Sequence, residues 1–268
     1  CQELSNLLYA VSEFQRHNAG WQSPVKPQLW QKLLSQQKLT YLADFANSQE
    51  LVNVMLALAR MAEGSHPVLA SEFARQAVAR LLQGRTAKQV SRWNAHDAAN
   101  SMWSLASLGL NDQTQFLQRL STSSGLWLRK KATMVALVQV AWACQQLDYA
   151  DPLLIGAVVE ASMHKAKSLK ADEHDEVFRN IISTASMLAS LVATADLRQL
   201  AADARNLVTL ACHLWKAPVL GIANGAYLWA FHIWLKENHL LDGSGLQGVL
   251  SADHLAYCEE AAKLRTCG

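Results

Sequence analysis

A chain of 268 residues that is 51% hydrophobic can bury a substantial core, which excludes a disordered or low-complexity polypeptide. Lys and Arg number 24 against 22 Asp and Glu, and a formal charge of +2 excludes binding to nucleic acid through bulk charge, so any such site must be a local patch. Five cysteines (Cys1, Cys144, Cys212, Cys258, Cys267), odd in number and without a C-x-x-C pair, exclude a disulfide framework or a Cys-rich zinc site and suit a reducing compartment.

Only 12 Gly and 5 Pro interrupt a chain rich in Ala, Leu and Gln, and its apolar periodicity is helical throughout. In chain order the spacing predicts helices over 3–10, 28–38, 47–61, 67–83, 94–109, 113–120, a segment ending near Cys144, 150–169, 180–188, 197–215 and 219–235. Connectors are expected at 20–26, 64–67, 84–93, 122–125, 170–174, 217–218 and 242–248, where Gly, Pro and small polar residues gather. Asn47 and Asn94 read as N-caps, with Glu50 and Asp97 three residues on completing capping boxes. No low-complexity linker divides the chain, so one domain over 1–268 is expected; a start at Cys1 suits a processed or partial chain. The most apolar stretch, 219–235, contains Asn224, Gly225 and His232 and reads as a buried helix, so no membrane insertion is expected.

An internal repeat underlies these helices. Ala99-Asn100-Ser-Met-Trp103-Ser-Leu105-Ala106 recurs as Ala223-Asn224-Gly-Ala-Tyr227-Leu-Trp229-Ala230, with a further copy around Asn53 and weaker ones at Asn6, Leu137 and Asn180. The intervals between these markers are 47, 47, 37, 43 and 44 residues, the range of helical repeats. Asn53, Asn100, Asn180 and Asn224, with the aromatic Trp103 and Tyr227, therefore read as a structural motif; a base-reading residue would vary between repeats, whereas a buried Asn bonded to a neighbouring loop would stay fixed.

The stretch Ala98-Ala99-Asn100-Ser-Met102-Trp103-Ser-Leu105-Ala106-Ser-Leu108-Gly109 resembles the signature of the octotricopeptide-repeat family, α-solenoid proteins of organelles. The resemblance implies an all-α, right-handed α-solenoid of about six degenerate helix-pair repeats that binds organellar RNA. Within that implication, a structural component of a mitochondrial ribosome contacting rRNA is the preferred reading, with ribosomal or other organellar proteins as further partners. A factor for maturation, stability or translation of one organellar mRNA, a protein-protein scaffold, and a chloroplast location are the alternatives.

Arg75, Arg80, Arg85, Lys88 and Arg92 form a run of cations with no acid among them, which suits phosphate contact or an ordinary solvated face. Arg129, Lys130 and Lys131 are read at the start of the helix ending near Cys144, where they would oppose the helix dipole and so hint at a partner. Trp103, Trp142 and Trp229 belong to the repeated apolar pattern and are expected in the core; Trp93 and Trp127, beside basic residues, are the candidates for exposed base stacking. H-E-x-x-H, G-x-S-x-G and glycine-rich phosphate loops are lacking, and the polar run at 172–176 reads as a solvated turn. A non-enzymatic protein without catalytic residues, metal or cofactor is the expectation.

Overall fold

The computed structural model describes residues 1–18, 27–63, 71–83, 87–169, 175–214 and 221–266; the side chains of Lys88, Arg129, Lys130 and Lys131 also lie outside the description. The fold is all-α: among the described residues there is no strand, and Gln247 and Leu250 form only an isolated bridge. The helices are α1 (Gln2–His17), α2 (Pro27–Leu33), α3 (Gln36–Phe45), α4 (Ser48–Glu63), α5 (Ser71–Leu82), α6 (Ala87–Val90), α7 (Ala95–Ser107), α8 (Thr114–Lys131), α9 (Met134–Leu147), α10 (Pro152–Ser168), α11 (Asp175–Thr194), α12 (Ala201–Leu214), α13 (Ile222–Glu237) and α14 (Ala252–Thr266). The chain forms two compact units, one of Cys1–Ser123 with Gln146–Tyr149, the other of Ser124–Gln145 with Ala150–Gly268.

In the first unit α4 packs on α1 and on α7, and α5 packs on α3 and α4. In the second, α11 packs on α13, α10 on α12, and α11 on both α10 and α12, while α14 closes on α13. Helices that carry the repeat marker thus pack in turn, α1 with α4 and α4 with α7 in the first unit and α11 with α13 in the second, and among the intervening ones α3 packs on α5 and α10 on α12. The cause is their apolar faces: in α4 every residue from Val54 to Ala59 is buried, Ala alternating with larger side chains so that neighbours approach closely. Polar links between elements repeat the same interval. Arg60 of α4 pairs with Glu13 of α1 at a separation of 47 residues, Arg80 with Thr40 at 40, Gln145 with the Met187 carbonyl at 42, Asn224 with Ser183 at 41 and Arg265 with Tyr227 at 38.

Helix starts and stops follow from local chemistry. Asn47 and Glu50 exchange hydrogen bonds of 2.9 Å each, and Asn94 and Asp97 do so at 2.9 and 3.3 Å, so both expected capping boxes form. Among the described residues α7, α11 and α13 end in the same Schellman turn, with Gly109, Asp196 and His239 at positive φ. The following leucine, Leu110, Leu197 or Leu240, donates its N–H five residues back, to Leu105, Val192 or Leu235. Glycine suits that left-handed position best; an aspartate and a histidine occupy it at the other two ends.

Two expectations about α8 are corrected. The connector expected at 122–125 is helical, because the hydroxyls of Ser121, Thr122 and Ser123 bond to the carbonyls of Leu117, Gln118 and Arg119 one turn earlier and leave the helix unbroken. As a result Arg129, Lys130 and Lys131 fall at the C-terminal end of α8 and not at the start of α9, so the helix dipole favours them and the argument from an electrostatic penalty lapses. The helix expected over 28–38 is also two, α2 and α3, separated at Ser35. α11 is long and apolar enough to cross a membrane by length and composition, with a mean hydropathy of 1.3, yet 72% of that window is buried within the chain, the pattern of a core helix.

Candidate nucleic-acid interface

The first unit carries an open groove of about 960 Å³, built where α3, α5 and the start of α8 meet. Its floor is apolar, with Leu34, Leu39, Ala77 and Phe116. Phe116 is held from below by Trp93, ring centroids 5.4 Å apart. The walls are polar: Arg80 on α5 and Arg119 on α8 supply positive charge, Asp112 is the acidic residue among the lining groups, and glutamines occupy much of the rest. Arg80 is exposed, and its Nη2 reaches Thr40 Oγ1 at 3.3 Å, which links α5 to α3.

The sequence-predicted cations divide around this groove. Arg80 lines it. Arg75 lies on the same helix, with its guanidinium 3.9 Å from Glu72, and its Nη1 stands 3.5 Å from where a Cβ would sit on Gly109, at the C-terminal end of α7. That position lets Arg75 serve the helix end electrostatically. Arg92 is exposed in the turn before Asn94; Arg85 and the side chains of Lys88, Arg129, Lys130 and Lys131 lie outside the described residues. Arg119, a groove residue, was not singled out from the sequence. It sits in a helix of Ser, Thr and Gln with no basic neighbour before Arg129, so no charge run marks it.

The tryptophan expectations are corrected in both directions. Trp93 and Trp127, the candidates for exposed stacking, are each only 4% exposed, with Trp93 packed on Phe116, so neither offers a free face to a base. Trp103, Trp142 and Trp229, expected in the core, are instead half-buried. Sequence proximity to Arg92 and Arg129 misled because a neighbour in the chain does not share a helix face; burial is set by the 3.6-residue period.

The repeated asparagines serve structure, though not through loops. Asn100 is 4% exposed and its amide lies 2.9 Å from His96 Nε2 one turn back, while Asn224 donates to Ser183 Oγ at 3.1 Å, tying α13 to α11. Asn53 and Asn180 are half-buried. Three residues after the marker, Tyr9 and Tyr227 each receive an arginine over the ring from the next helix they pack on, Arg60 at 5.6 Å and Arg265 at 4.4 Å.

Among the described residues no three His, Cys, Asp or Glu side chains gather to hold a metal ion. Burial pushes the Cys144 thiol up to about 12, with Asp151 adding to it, and raises Cys212 to about 11 and Cys258 to about 12, so these thiols stay protonated at neutral pH. No family model matches the chain, and comparison with curated proteins gives no match either.

Proposed function

We propose that the chain is a non-enzymatic RNA-binding protein, a right-handed α-solenoid of about six degenerate helix-pair repeats. In this reading it works in a mitochondrion as a structural part of the ribosome that contacts rRNA. The observation that carries the RNA reading is the groove of the first unit, open, floored by apolar side chains and walled by Arg80, Arg119 and side-chain amides. Such a lining offers phosphate partners, hydrogen-bonding groups for base edges and an apolar base, a combination suited to an unpaired strand. Support for the repeat architecture comes from within each unit, where marker helices pack on marker helices and polar links recur at 38 to 47 residues. The organelle and the ribosome rest on the resemblance around Asn100 alone.

Protein partners are supported by a second surface. Tyr41 and Phe45 of α3 are 51% and 68% exposed and their rings lie 4.8 Å apart, a paired apolar surface that a protein partner could cover. The deciding experiment is ultraviolet crosslinking in isolated organelles followed by sequencing of the attached RNA. Reads concentrated in rRNA are expected; a single mRNA would replace the ribosomal reading with the transcript-factor one, and crosslinks to protein alone would leave a scaffold.

A further inference from the structure

Phe73 is the exception among the apolar residues of α5. Ala74, Ala77, Val78, Leu81 and Leu82 are buried, whereas Phe73 is 36% exposed and lines the groove. Phe73, Gln76, Ala77 and Arg80 stand at i, i+3, i+4 and i+7, so one face of α5 carries an aromatic ring, an amide and a guanidinium along the groove. Helical side chains lean towards the N-terminus, away from the turn that follows. One turn after Phe73 that place is held by Ala77, whose methyl fills little of the space beside the ring.

We infer that Phe73 is the platform on which this groove stacks an unpaired RNA base, so that it takes single-stranded RNA in preference to duplex. The inference rests on the RNA reading of the same site and names the residue and the strand state that it selects. Every base has a π-face, so the ring discriminates little among bases. It does discriminate between strand states. A duplex keeps its bases stacked on one another and offers mainly its backbone, whereas an unpaired strand can lay a base on an aromatic side chain. Arg80, about 10 Å further along the same helix axis, and Arg119 on α8 attract the phosphates of either form. The cations therefore supply affinity and the ring supplies the choice.

The test is fluorescence anisotropy of the 268-residue chain with one end-labelled RNA of mixed sequence, either single-stranded or annealed to its complement, across a salt series. Annealing doubles the phosphates, so electrostatics alone would favour the duplex. The single strand should instead bind about tenfold tighter, within the range of one base–aromatic stack. Phe73→Leu, which keeps apolar bulk without a π-face and whose folding circular dichroism checks, should lose about tenfold for the single strand and nothing for the duplex. Its salt slope should match that of the unmodified chain, because stacking releases no counterions. Phe73→Tyr should keep the preference. Duplex binding as tight as the single strand, a Leu variant that binds the single strand normally, or one that weakens both forms equally overturns the inference and leaves RNA binding standing. Failure of both forms to bind removes the RNA reading itself, and this inference with it.

Discussion

The backbone of Gly109 and the ring of His232 show how single residues are held to one role. Gly109 has φ of +63°, and a Cβ there would lie 3.5 Å from Arg75 Nη1, an ordinary contact, so the demand for glycine is conformational and not steric. Gly109→Ala should therefore cost about 1 kcal/mol. His239, exposed and holding the equivalent left-handed position after α13, should gain about 0.5–1 kcal/mol on change to glycine. Urea midpoints moving in the same direction for both variants would refute the shared Schellman turn as their cause. His232 is 3% exposed, stacks on Trp229 and accepts the Leu246 N–H at Nδ1 over 2.8 Å, pinning the loop that follows α13. Burial, with Lys236 adding to it, holds its pKa below the ordinary 6.5. The fold therefore favours the neutral ring, so this contribution is complete above pH 6.5 and declines as pH falls below it. Protonation would also turn the accepting Nδ1 into a donor facing a donor. Urea titrations across that range should show a loss of stability that His232→Phe abolishes, and an unchanged pH profile in the variant would assign the loss to other groups.

At the scale of elements, caps and periodicity made most helices legible. Asn47 with Glu50 and Asn94 with Asp97 announced two starts that the hydrogen bonds realise, because a capping box is local and needs no partner from elsewhere in the chain. Asn94→Ala should cost about 1 kcal/mol, measurable as a lower urea midpoint, and no change would mean that packing alone sets where α7 begins. Thr122 to Gly125 misled for the converse reason. Hydroxyls and glycine favour a turn in isolation, yet the same hydroxyls bond back into a helix that apolar contacts hold: Phe116, Leu117, Leu120, Trp127 and Leu128 are all buried on α8. That one continuous helix moved three cations from a helix start to a helix end.

For the whole molecule, near-neutral charge means that the proposed RNA affinity would have to come from a few placed cations. Charge reversal at Arg80 and Arg119 should weaken RNA binding and flatten its dependence on salt, each lost phosphate contact lowering the log–log slope by about 1. Reversal at Arg85, Lys88 and Arg92 separates the two surfaces. If those three carry the phosphates, as the run of cations in the sequence suggests, their reversal will dominate; if the groove does, they will matter less than Arg80 and Arg119. An RNA affinity indifferent to both sets would discard the electrostatic basis of the proposal.

The amino-acid order alone determined the all-α class, both capping boxes and the helix stop at Gly109, because helical periodicity, caps and stops depend on residues within a few positions of one another. Tertiary structure decided which tryptophans are covered, which helix owns Arg129 to Lys131, and that Gln36, Gln76, Arg80, Gln113 and Arg119 share one groove. Those groove residues lie on α3, on α5, in the turn before α8 and on α8 itself, as many as 83 positions apart. No local pattern joins them, because only packing of the intervening apolar faces brings α3, α5 and α8 together.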